Sequence, residues 1–107
     1  LPAISTDSLT VLFTGGGSTI EDSNKPALRS IAAQVRAEER TRLQLKAYAS
    51  AQDSSASAAR RLSLSRALAV RSFLIESGVN STRIDVRALG AKNELGEPDR
   101  VDLVVIH

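Results

Sequence analysis

The chain has 107 residues, a net charge of +2 and no cysteine. That length suits one domain with a modest core, and the missing thiols exclude disulfides and thiolate metal sites. Phe13, Phe73 and Tyr48 are its only aromatic residues, so the core falls to Leu, Val, Ile and Ala, and neither charge nor aromatic content suits nucleic acid.

No apolar run approaches the roughly 20 residues of a membrane span, and no signal-peptide pattern is present. The opening LPAISTDS lacks an initiator Met, which fits an excised domain or a processed product, with any membrane anchor outside this chain. Residues 1–7 read as a linker remnant and 8–107 as the domain. SLTVLF (8–13) is rich in β-formers and predicts a first strand. TGGGST (14–19) predicts a loop, because three consecutive glycines carry too much backbone entropy for a helix or a strand.

Asp22 or Ser23 is expected to cap a helix that tolerates Pro26 in its first turn. Leu28, Ile31, Ala32 and Val35 then recur at helical spacing, predicting one apolar face and an end near Glu39. RLQLKAYA (42–49) alternates strictly, Leu43, Leu45 and Ala47 against Arg42, Gln44 and Lys46, as a half-buried strand does. A loop of small residues follows whose single charge is Asp53.

The longest helix is predicted from about Ser57 to Ser77, closed by Gly78 as a left-handed cap. Leu62, Ala67, Ala69, Val70, Phe73 and Leu74 share one broad face. Leu64, Leu68 and Ile75 form a narrower stripe roughly opposite, either packed against a neighbouring element or offered to a partner. RIDVRAL (83–89) and RVDLVVI (100–106) alternate as two further strands, joined by the turn-rich GAKNELGEPD (90–99). The order β-α-β-α-β-β, with crossovers of this length, favours right-handed parallel pairing and helices layered on one sheet.

Catalytic chemistry finds little support. The only histidine is His107, the last residue, and no G-x-S-x-G elbow is present. One histidine without cysteine leaves only carboxylates as strong metal ligands, and their spacing forms no Ca²⁺ loop. GGGST lacks the lysine of a phosphate loop, and NST (80–82) is the short glycosylation triplet. No enzyme activity and no cofactor are expected. Arg60, Arg61, Arg66 and Arg71 occur with no acid between them. Together with the helix N-terminus they suit a carboxylate ligand, or else form a solvated charged face.

LSLSRALAVRSFLIESGVNSTRIDVRALG (62–90) resembles the long helix and third strand of OmpA-like peptidoglycan-binding domains. Leu62, Ser63, Arg66, Ala67, Val70, Leu74, Gly78, Val79, Arg83, Ile84 and Gly90 match the recurring wording L-S-x-x-R-A-x-x-V, then a leucine, G-V and R-I with a closing glycine. VLFTGGGSTI, LQLKAYAS and PDRVDLVV resemble the first, second and last strands of that family, so the likeness runs from Leu9 onward. The resemblance implies an α+β fold, β-α-β-α-β-β with helices packed on a mixed sheet. It also implies a periplasmic module of a Gram-negative cell envelope, tethered to a membrane such as the outer membrane. Such a module holds peptidoglycan non-covalently by the diaminopimelate of its stem peptide.

The resemblance carries Arg66 onto the family's pocket arginine, with Ser63 beside it, and Arg100 onto the arginine before the last strand's valine. Asp99 and Pro98 stand where arginine and asparagine would be, and Ala59 replaces an asparagine. The family's T-D acid falls on Ser50 or Ala51, neither acidic, and Asp53 is a candidate substitute. Diaminopimelate is zwitterionic at its side-chain end, so here the cation remains while the ammonium acceptor is missing or displaced. One lost charge-assisted bond costs roughly 1.5–3 kcal/mol, or one to two decades of affinity. Two readings follow: weakened peptidoglycan binding, or a structural envelope domain that contacts proteins or itself through Leu64, Leu68 and Ile75.

Overall fold

The computed structural model describes residues 8–13, 17–49, 56–91 and 99–106. Its strands are β1 (Ser8–Leu12), β2 (Arg42–Tyr48), β3 (Ile84–Gly90) and β4 (Arg100–Ile106), and its helices are α1 (Lys25–Ala37) and α2 (Ala56–Glu76). The linker at 1–7, residues 14–16, the small-residue loop at 50–55, the connection at 92–98 and His107 lie outside the described residues.

The four strands form one mixed sheet in the order β1-β4-β2-β3. β2 and β3 pair in parallel, as a strand–helix–strand crossover requires, with Leu45 opposite Val86. The expectation of direct parallel pairing fails for the first crossover. β1 and β2 run in the same direction, but β4 lies between them and pairs antiparallel with both. The crossover rule fixes direction and handedness but not adjacency, and the last strand has the apolar face a central strand needs: Val101, Leu103 and Val105 are all buried.

Both helices cover the face that carries those residues. Leu28, Ile31 and Val35 of α1 meet Leu43 and Leu45 of β2 in a single core. Each such side chain contributes about 1.5–3 kcal/mol on leaving water. A short 3-10 turn at Asp22–Asn24 precedes α1, which corrects the capping expectation. That turn puts Asn24 at the cap with no side-chain bond, and Asp22 pairs with Lys25 at 2.8 Å instead.

The other end of α1 is closed from a distance. Arg83 donates from Nη2 to the carbonyls of Val35 (2.6 Å) and Glu38, and from Nε to that of Thr41 (3.0 Å). These carbonyls lie in the last turn of α1 and in the residues just after it. Arg83 therefore belongs to the 3-10 turn before β3 and not to the strand. Gly78 takes φ +103° after α2, where its neighbour Val79 donates to the Leu74 carbonyl at 3.0 Å.

On α2 the buried residues are Ala59, Ser63, Arg66, Ala67, Val70 and Leu74, while Leu62, Ala69 and Phe73 flank them half-buried. The inward face is thus rotated toward the two polar residues Ser63 and Arg66. Leu64, Leu68 and Ile75 are 42%, 44% and 37% exposed. Among the described residues no element packs over the stripe, because both helices lie on the same side of the sheet and α2 turns this face outward. Among the described residues no helix is long and apolar enough to cross a membrane.

Candidate functional site

Helical spacing places Ser63 and Arg66 one turn apart on the buried face of α2. Ser63 donates to the Arg60 carbonyl at 2.8 Å and accepts from the Gly90 N–H at 3.0 Å. The bond from Gly90 ties α2 to the end of β3 and the one within the helix fixes the hydroxyl, which makes Ser63 a positioning residue for the helix that carries the arginine. The close approach needs Gly90: its φ is +60°, and a Cβ there would lie 3.3 Å from the backbone of Arg60.

Arg66 is wholly buried. Its Nε donates to the Gly17 carbonyl at 2.8 Å, and its Nη1 donates to the Tyr48 carbonyl at 3.3 Å. The guanidinium lies 5.2 Å from the centroid of the Phe13 ring, within cation–π range. The same Nη1 donates to Oδ1 of Asp99 at 2.6 Å, at the short end for a charge-assisted bond. Asp99 is fixed by the sheet: its carbonyl accepts from the Phe13 N–H at 3.0 Å, extending the β1–β4 ladder past Leu12 and Arg100.

The site is therefore a cation at the meeting point of the loop after β1, the end of β2 and the start of β4, already engaged by the Asp99 carboxylate. A buried guanidinium needs such a partner, since an unpaired buried charge is strongly unfavourable. Among the described residues no buried side-chain polar atom lacks a hydrogen-bond partner.

Arg100 is not brought beside Arg66. Strand alternation sends it to the open face of the sheet, opposite Val101. There its Nε donates to both carboxylate oxygens of Asp102 at 3.0–3.1 Å, and its guanidinium stacks on Tyr48 at 4.1 Å. Ser50, Ala51 and Asp53 lie outside the described residues. Arg60 and Arg61 are exposed and line a shallow cleft of about 380 Å³ with Leu64 and Ala88, so of these three α2 arginines Arg66 is the one that enters the site.

The residue that sequence reasoning left without a role is Asp99. Its signal was present as a charge reversal, an acid at a position where the family resemblance expects an arginine. The backbone acceptors at Gly17 and Tyr48 carry no side-chain signal at all.

The model of the OmpA family matches residues 12–100. A search of curated proteins finds no match. Among solved structures, the OmpA-like domain of FopA1 from Francisella tularensis subsp. tularensis SCHU S4 superposes with a TM-score of 0.80 at 23% identity, over 97% of this chain and 76% of that one. The peptidoglycan-associated lipoprotein from Burkholderia pseudomallei superposes with a TM-score of 0.83 at 21% identity, over 91% of this chain and 89% of that one. The periplasmic domain of Helicobacter pylori MotB gives a TM-score of 0.73 at 18% identity, over 92% and 74% of the two chains. At these identities the likeness speaks for the fold.

Proposed function

The chain belongs to the OmpA family, and we propose that it is a periplasmic envelope module, not an enzyme, that binds the diaminopimelate-bearing stem peptide of peptidoglycan weakly. The observation that carries this reading is the bond from Arg66 to Asp99 at 2.6 Å. The site's cation is one that takes a carboxylate, and a carboxylate is what the ligand's side-chain end presents. On this reading the same bond lowers the affinity, since the ligand meets a cation that is already engaged. Fold neighbours described as peptidoglycan-associated and as periplasmic support the setting.

Co-sedimentation with purified diaminopimelate-containing sacculi tests the proposal. Partial sedimentation that an excess of soluble diaminopimelate tripeptide abolishes supports it. A domain that stays wholly in the supernatant at every salt concentration contradicts it.

A second reading rests on a different observation, the exposed stripe of Leu64, Leu68 and Ile75 on the outer side of α2. Under it the fold serves as a contact domain for envelope proteins or for a second copy of itself. Sedimentation equilibrium decides the self-association case: a dimer lost in Leu68→Asp supports it, and a monomer at all concentrations removes it.

A further inference from the structure

The Arg66–Asp99 pair is unequal in its exposure. The arginine side chain is 0% exposed, whereas the aspartate side chain is 29% exposed. Asp99 is thus the partner of the pair that reaches solvent. Its backbone is held by the bond from the Phe13 N–H, so the carboxylate is presented from the sheet. Gly17 and Tyr48 meet the arginine with backbone carbonyls, neutral acceptors that leave its charge to be balanced by a carboxylate.

We infer that Asp99 sets the affinity and specificity of this site: its carboxylate occupies the position on Arg66 that the carboxylate of an incoming ligand takes, and the ligand binds by displacing it. This inference rests on the reading of Arg66 as the ligand's cation. Its chemistry is exchange of one carboxylate for another on a fixed guanidinium, with no covalent step. An attached competitor acts at an effective concentration set by its tether, in the millimolar range or higher for short ones. Only ligands whose carboxylate is backed by other contacts then displace it, so the pair selects against simple carboxylates. A ligand end bearing an amine alone gains nothing from the exchange.

Two variants and two probes test this. Asp99→Ser empties the carboxylate position, and Asp99→Asn keeps a carbonyl acceptor for Nη1 while removing the charge. Formate, compared with chloride at equal ionic strength, is expected to raise the Tm of Asp99→Ser and to leave that of the wild type unchanged. Soluble diaminopimelate tripeptide is expected to bind both variants at least roughly tenfold more tightly than the wild type, the lower end of what one charge-assisted bond is worth. The corresponding lysine tripeptide, without the side-chain carboxylate, shows no such gain.

If Asp99→Ser does not fold even in formate, the peptide affinity of Asp99→Asn decides. Unchanged or weaker binding by Asp99→Asn, with binding still dependent on Arg66, overturns the inference and leaves wall binding standing. Formate rescue without peptide binding by any of the proteins keeps the exchangeable carboxylate position and removes wall binding. Absence of a formate-specific effect on a folded Asp99→Ser overturns the inference.

Discussion

Nη1 of Arg66 and Oδ1 of Asp99 lie 2.6 Å apart although the residues are 33 positions apart in sequence. The pair joins the middle of α2 to the start of β4, so it stabilises the tertiary arrangement as well as shaping the site. Removing one partner of a buried pair leaves an uncompensated charge, at a cost of about 3–5 kcal/mol. Arg66→Leu is expected at the lower end of that range, because the stranded Asp99 reaches solvent. Urea denaturation of the two single variants and of Arg66→Leu/Asp99→Asn checks this: the double variant loses less than the sum of the singles.

Gly90 makes a second prediction. At φ +60°, with only 3.3 Å between an added Cβ and the Arg60 backbone, Gly90→Ala strains its own backbone and pushes α2 away from β3. The left-handed conformation alone costs an ordinary residue about 1–2 kcal/mol. A loss of about 2 kcal/mol is expected, with the amide of residue 90 losing protection in hydrogen exchange as its bond to Ser63 lengthens.

How much of this was legible in the sequence differs by element. Leu43, Leu45 and Ala47 announce β2 by alternation, and Leu28, Ile31, Ala32 and Val35 announce α1 by spacing, because those signals are local and the structure buries every one of them. The place of β4 between β1 and β2 was not legible, because pairing across most of the chain leaves no local pattern. For the same reason Arg60, Arg61, Arg66 and Arg71 looked alike. Only the fold decides that the third enters the core while the first two remain exposed. Family resemblance singled out Arg66, but its partner was hidden as a departure from the family pattern at Asp99.

Arg83 yields a third prediction. It reaches four acceptors around the end of α1, among them the Val35 carbonyl at 2.6 Å and Thr41 Oγ1 at 2.9 Å. Arg83→Ala is expected to cost about 2 kcal/mol, the combined worth of hydrogen bonds to a charged donor. Hydrogen exchange at residues 35–41 rises with it. Arg83→Lys does not restore full protection, since its three donors radiate from one nitrogen and cannot match the reach of Nε and Nη2 to four separated acceptors.

A fourth concerns acid. Arg42 bonds Asp85 across β2 and β3 at 2.7 Å, and that hydrogen bond, with the arginine's charge, holds the Asp85 carboxyl below the usual carboxylate range. A depressed carboxyl contributes stability that is present above its unfolded pKa and is lost as pH falls through the folded one. Asp85→Asn is therefore expected to be less stable than the wild type at neutral pH and to converge with it below about pH 4. Because the pair is exposed, the neutral-pH difference shrinks in high salt, which denaturation at two ionic strengths reveals.

The claim on which the functional reading turns is that a carboxylate-bearing stem peptide reaches Arg66. A titration of the isotopically labelled domain with soluble diaminopimelate muropeptide reads this at the amides of Tyr48, Ala49, Arg66 and Asp99. Progressive shifts confined to those residues at millimolar ligand are predicted, absent with a lysine-containing peptide. An unchanged spectrum at those four amides contradicts the wall-binding reading.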